Sequence, residues 1–213
     1  MNIISHRGSR QSFAFENTLQ AFRQAAACPW ITTLECDIQL TKDHVPVVCH
    51  DDHLIRVCQS DQYISETRFE DLPLLLNGSA IPTFQDMLQA TGHLLLHVEF
   101  KNIQAWRFVK HVFPHRALVS SFDHDFLKTI DHTPTLWLLD GDPSGWASSQ
   151  DDRLIGIERS WMSSSFDRPE HVYVYTINEP NECRAAFDLG FAGVYSDHAE
   201  TLWDKHRAIF GLA

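Results

Sequence analysis

Four short polar clusters in the chain have residue types and spacings suited to chemistry: His6-Arg7-Gly8, Glu35-Cys36-Asp37, His50-Asp51 and Glu99-Phe100-Lys101. Glu35 and Asp37 stand at i and i+2, as do Glu99 and Lys101. On a strand each pair shares one face, and Cys36 points the other way. Glu35, Asp37 and Glu99 are hard oxygen ligands that suit Mg²⁺ or Ca²⁺, and no His-x-His or cysteine cluster points to zinc. A dication among them would neutralise the charge of a phosphodiester and stabilise its pentacoordinate transition state. Arg7 and Lys101 would hold the remaining phosphoryl oxygens. His6 and His50, with imidazoles that titrate near neutral pH, would act as general base and general acid. Taken singly, an acidic pair is usually a solvated face and a histidine beside glycine is usually a loop residue. The conjunction carries the reading.

The elements that position these groups are legible from the apolar pattern. Short apolar runs alternate with amphipathic segments, the pattern of an α/β fold with a parallel sheet. Strands are expected at Asn2–Ser5, Leu34–Ile38, Val45–Cys49, Leu95–Phe100, Leu118–Phe122, Leu136–Leu139, Leu154–Glu158, Val172–Thr176 and Gly193–Ser196. Between the second and third lies mainly Leu40-Thr41-Lys42-Asp43-His44, too short for a helical crossover, so these two pair antiparallel. Eight strands then remain for a TIM-type (β/α)₈ barrel, in which the carboxyl ends of the strands form the active face. Three of the clusters fall at such ends, and His50-Asp51 follows the hairpin run Val45–Cys49. His97 shares the inward face with Glu99 and Lys101 and reads as structural, while the other histidines, His206 included, read as loop or surface groups.

Helix starts are expected at Asn17 as an N-cap, at Thr83 with Asp86 as a capping box, and at Asn178 or Glu179-Pro180, the last helix ending at Gly190. The long stretch 56–82 reads as a barrel-top loop with a short helix near Phe69–Leu76. The chain's 213 residues fit one domain, 1–213, near the lower limit of roughly 200 residues for such a barrel.

With 17 basic and 28 acidic residues the net charge is −11, which argues against a nucleic-acid partner. A small anionic substrate would need local positive charge from a metal or from placed cations. The 5 cysteines have no Cys-x-x-Cys spacing, which fits a reducing compartment better than a disulfide framework. No run approaches the ~18 apolar residues of a membrane span. No basic segment followed by an apolar stretch opens the sequence, so the expected location is the cytoplasm, without stable membrane association.

In this order the motifs resemble the glycerophosphodiester phosphodiesterase family along nearly the whole chain. His6-Arg7-Gly8 followed by Glu16-Asn17-Thr18-Leu19-Gln20-Ala21-Phe22 is similar to the family's opening signature. Glu35-Cys36-Asp37 through Thr41-Lys42-Asp43 and on to His50-Asp51 is similar to its second block, and Ile81-Pro82-Thr83-Phe84, Glu99-Phe100-Lys101 and Ser120-Ser121-Phe122 follow in register. The closing region Tyr173–Asn178 and Gly193–Asp197 resembles that of bacterial cytoplasmic members. The resemblance implies a phospholipase-C-like TIM barrel and metal-dependent hydrolysis of glycerophosphodiesters to glycerol 3-phosphate and an alcohol. It implies His6 and His50 as the acid/base pair and Glu35, Asp37 and Glu99 as ligands of Mg²⁺ or Ca²⁺. Attack by water and attack by the substrate's own hydroxyl are both compatible with it. Phe15 in place of a proline, His44 in place of a turn glycine and Tyr175 in place of a tryptophan depart from the family pattern. Two other readings compete: a phosphodiesterase of the lysophospholipase D type, and a non-catalytic barrel that binds phosphorylated ligands.

Overall fold

The computed structural model describes residues 1–8, 15–147 and 152–210, without the side chains of 147 and 206–210, so His206 lies outside the described side chains. In chain order the elements are β1 (Asn2–His6), α1 (Leu19–Ala27), β2 (Thr33–Leu40), β3 (Pro46–Val48), α2 (Ile55–Cys58), α3 (Phe84–Thr91), β4 (Leu95–Phe100), α4 (Trp106–Val109), β5 (Ala117–Ser121), α5 (His124–Leu127), β6 (Thr135–Leu138), α6 (Ser144–Ala147), β7 (Leu154–Glu158), β8 (Val172–Tyr175), α7 (Pro180–Asp188), β9 (Gly193–Ser196) and α8 (Ala199–Phe210). Every strand expected from the sequence is present, with no end shifted by more than two residues.

Eight strands pair in parallel and close on themselves, because β1 pairs with both β9 and β2. The barrel is thus complete, and β3 lies outside it, antiparallel to β2 with Ile38 opposite Val48 and Leu40 opposite Pro46. Helices α2, α4, α5 and α6 have only 4 residues each. The chain closes the barrel by trimming part of the outer layer to single turns and leaving the strands whole.

Strand β2 is buried along its entire length, which period-2 alternation splits between two environments. Leu34, Cys36, Ile38 and Leu40 join the core under the helices, packed with Phe22, Met87 and Phe100. Thr33, Glu35, Asp37 and Gln39 therefore face the barrel axis. Leu118, Leu136 and Leu138 fill part of that interior together with Tyr173 and Tyr175. His97 sits there as expected, its Nδ1 2.7 Å from the Tyr195 hydroxyl and its ring edge-on to Tyr173 and Tyr195.

Local chemistry explains the joints. Gly8 has φ +87°, and a Cβ on it would lie 2.8 Å from that of Ala21. Only glycine lets the segment after β1 pass this close to α1. His44 takes a left-handed φ of 66°, the conformation expected of the turn glycine it replaces. The Thr83–Asp86 capping box forms. Asn17 does not cap α1, because Thr18 accepts the hydrogen bond from Ala21 N and Asn17 is drawn into the barrel mouth. Likewise Glu179 occupies the cap position of α7, with Pro180 in its first turn, and Asn178 is used elsewhere. The short helix expected near Phe69–Leu76 is a single 3₁₀ turn, Phe69–Asp71. Among the described residues no helix is long and apolar enough to cross a membrane.

Candidate active site

Strand register brings distant residues together at the carboxyl end of the barrel. His6 lies opposite Glu35 across the β1–β2 pairing, and Asp37 lies opposite Glu99 across β2–β4. One carboxylate oxygen each of Glu35, Asp37 and Glu99 falls within 4.8 Å of the others. Glu35 Oε1 and Asp37 Oδ1 are buried and without a hydrogen-bond partner, a costly arrangement for carboxylates unless something positive fills the space.

The electrostatics are strained in the same sense. Burial, reinforced by the charge of Asp37, drives the Glu35 carboxyl well above its ordinary range. The same two causes push Glu99 up to about 7, against the pull of Lys101. Asp37 is fully enclosed and burial would raise it too, but Arg7 and Lys101 outweigh burial and hold it at about 2. An all-oxygen donor set in which two members resist ionisation is relieved by a small divalent cation. The residues fit such an ion.

His6 and His50 flank this cluster, and each ring is gripped at Nδ1 by a carboxylate. His6 Nδ1 is 2.7 Å from Asp197 Oδ1, while its Nε2 is 3.7 Å from Glu35 Oε2. His50 Nδ1 is 2.6 Å from Asp51 Oδ1. Burial lowers the affinity of both rings for a proton, opposed at His6 by the Asp197 hydrogen bond and at His50 by the charge of Asp37. Each ring thus presents Nε2 as the nitrogen left over for chemistry.

Arg7 and Lys101 also lie here, committed in large part to acids. Arg7 leaves β1 in a left-handed turn, φ 58°. Its backbone N donates to Glu35, and its side chain reaches Asp37 Oδ2 through Nε and Glu16 Oε1 through Nη1, both at 3.1 Å. Lys101 Nζ is 2.6 Å from Glu99 Oε1 and 3.6 Å from Asp37 Oδ1. These pairs offset the acids electrostatically and leave both cations bordering the cavity.

That cavity has a volume of about 170 Å³ and is walled on one side by His6, Arg7, Glu35, His50, Glu99 and Lys101, and on the other by Ser120, Phe122, Leu138, Tyr175, Thr176 and Tyr195. Six of the seven sequence-derived site residues line it. Asp37 sits behind them, with none of its surface exposed.

Other groups at the mouth were not singled out from sequence as site residues. Asn17 takes φ 54°, donates Nδ2 to Asp37 Oδ2 at 2.8 Å and receives the Asp37 backbone N at 3.4 Å. Asn178 donates Nδ2 to Asp197 Oδ2 and accepts from the Asp197 backbone N and from Ser196 Oγ. Arg56 and Glu16 join the Asp51 side. Their signal in the sequence was adjacency: Asp51 follows His50, Asp197 follows the last strand, and Glu16-Asn17 precedes the first helix.

Comparison with known proteins agrees with this geometry. Residues 6–107 match the model of the glycerophosphoryl diester phosphodiesterase family. Over that segment the chain is similar to this family. The matched segment contains all seven of the residues singled out from the sequence. A glycerophosphodiester phosphodiesterase of Bacillus altitudinis is 24% identical over 237 residues, 92% of this chain and 94% of its own. One from Caldanaerobacter subterraneus is 27% identical over 151 residues, which spans 60% of each chain. Among solved structures, an Oleispira antarctica phosphodiesterase in complex with the product sn-glycerol-3-phosphate superposes with a TM-score of 0.81 at 24% identity, covering 96% of both chains. At that identity the superposition establishes the barrel architecture.

Proposed function

We propose that this protein is a member of the glycerophosphoryl diester phosphodiesterase family and hydrolyses glycerophosphodiesters to glycerol 3-phosphate and an alcohol, with residues 1–213 forming one catalytic domain. The observation that carries the proposal is the grouping of three carboxylates and two carboxylate-anchored imidazoles around one cavity of about 170 Å³. Glu35, Asp37 and Glu99 are the ligands of Mg²⁺ or Ca²⁺. The chemistry supplied by a dication at that position is neutralisation of the phosphodiester and of the charge that builds in its transition state.

The chain's own groups do the rest. Lys101 and Arg7 border the cavity and turn part of their charge to the non-reacting phosphoryl oxygens. One of His6 and His50 takes the proton from the attacking hydroxyl, whether of water or of the substrate's own glycerol. The other gives a proton to the departing alcohol oxygen. Asp197 and Asp51, at the Nδ1 atoms, keep each Nε2 directed to the reacting centre. Phe122, Leu138 and Tyr175 exclude water from the opposite wall. The substrate is small and anionic, and nucleic acid and membrane surfaces are not expected partners of a chain with net charge −11. All five cysteines are free, which supports placement in the cytoplasm.

The test is a panel of glycerophosphodiesters that differ in their alcohol, with a lysophospholipid as a further arm, followed by release of glycerol 3-phosphate. Replacing His6 or His50 by alanine should lower kcat by about 10²-fold or more. An effect confined to KM would move that histidine from proton transfer to binding.

A further inference from the structure

We propose that Arg56, seated on Glu16, is the positioning residue for His50 and acts through Asp51. The inference rests on the reading of His50 as a proton-transfer group. Asp51 uses one oxygen for each neighbour: Oδ1 lies 2.6 Å from His50 Nδ1 and Oδ2 lies 2.6 Å from Arg56 Nε. The other end of the guanidinium is anchored, with Nη2 2.6 Å from Glu16 Oε1. That same Glu16 oxygen receives Arg7 Nη1, so the bridge ties the His50 side to the arginine that holds Asp37.

Geometry explains why the arginine matters. Gln39 Nε2 fixes the His50 backbone carbonyl at 3.0 Å, which leaves ring orientation as the remaining freedom. A carboxylate that grips a ring with one oxygen can still swing about its own bond. A guanidinium on the second oxygen stops that swing and sets the plane of the ring. Burial works against the Asp51 charge, yet the hydrogen bonds from Arg56 and His50 keep its carboxyl below the ordinary value. The opposite imidazole is built the same way: Asp197 places Oδ1 on His6 and receives Asn178 Nδ2 at Oδ2, 3.1 Å away. Two unrelated segments thus repeat one arrangement of ring, carboxylate and clamping nitrogen. Arg56 lines no part of the catalytic cavity, so its influence on chemistry passes through Asp51 and His50.

The experiment is a double-mutant cycle in the full chain with saturating Mg²⁺, assayed on a glycerophosphodiester with thermal unfolding followed in parallel. Arg56→Ala should lower kcat by about 10- to 100-fold, the usual effect of losing a group that orients an active-site ligand, with little change in KM. Arg56→Lys should recover part of that loss. In a His50→Ala background, Arg56→Ala should lower kcat by less than about 2-fold, because the group through which it acts is gone. The same fractional loss in both backgrounds, or a rise in KM alone, overturns the positioning role. Should Arg56→Ala not fold, the same cycle with Arg56→Lys decides the question. A wild-type protein that releases no glycerol 3-phosphate overturns the proposed function and this role together. An active wild type with additive variants overturns this role alone.

Discussion

His6 and Asp197 stand 191 positions apart in the chain, and their side chains meet at 2.7 Å, Nδ1 to Oδ1. The first strand ends in the histidine and the last strand leads into the aspartate, and closure of the barrel makes them neighbours. The contact fixes which ring nitrogen faces the cavity, and closure of the fold is therefore a condition of the proposed chemistry.

Asp197→Ala should lower kcat by about 10- to 100-fold with KM changed far less, since the ring loses its anchor but the cavity keeps its lining. Asp197→Asn preserves shape without charge and should fall between wild type and Asp197→Ala. Steady-state kinetics of the three proteins decide. Equal kcat values would remove Asp197 from the orientation of His6.

Chelation tests the three acids as a unit. EDTA should abolish glycerol 3-phosphate release, and added Mg²⁺ or Ca²⁺ should restore it. A ligand that binds only the folded state also stabilises it, by about 2.7 kcal/mol at a hundredfold excess over Kd. The wild type should therefore melt higher with added dication, and Glu35→Gln or Glu99→Gln should lose most of that gain. Full activity in chelator would contradict the ligand assignment.

Asn17 offers a separate probe of the buried ligand. It makes two hydrogen bonds to Asp37, one to the side chain and one from the backbone, in a pocket that water does not reach. Asn17→Ala should destabilise the protein by about 1–3 kcal/mol, the cost of stranding a buried polar group, and should weaken the response to dication. Denaturant titration with and without Mg²⁺ measures both. A loss of stability with an unchanged metal response would confine Asn17 to packing.

Asn17 also marks the boundary of what the sequence disclosed. Strands, closure and the convergence of seven polar residues at the barrel mouth were legible because period-2 spacing and strand-end position fix the direction of a side chain. Asn17 reads equally well as a helix cap, and its left-handed backbone, which turns the amide toward Asp37, has no linear signature. Thr18, one residue on, took the cap instead. Asp197, Asn178 and Arg56 stayed hidden for another reason: each acts on a residue that only barrel closure or a loop brings near. The single-turn helices between β4 and β7 were equally illegible, since four-residue segments are too short to display a 3.6-residue period.

His97 gives the pH prediction. Burial alone lowers its proton affinity from the ordinary 6.5 to about 3, so the folded protein keeps the ring neutral where the unfolded chain protonates it. The stability contributed by the neutral ring is whole above pH 6.5 and is lost as pH falls from there toward 3. Between pH 7 and pH 5 that loss amounts to about 2 kcal/mol. Glu35 and Glu99 act in the opposite sense, because carboxyls raised by burial become easier to accommodate as pH falls. The two effects separate by comparison with His97→Gln, which cannot protonate, retains a polar partner for the Tyr195 hydroxyl, and leaves both acids in place. In EDTA, the wild type should lose about 2 kcal/mol more than His97→Gln between pH 7 and pH 5, read from denaturant midpoints at each pH. Parallel curves for the two proteins would mean that His97 does not remain neutral in the barrel interior.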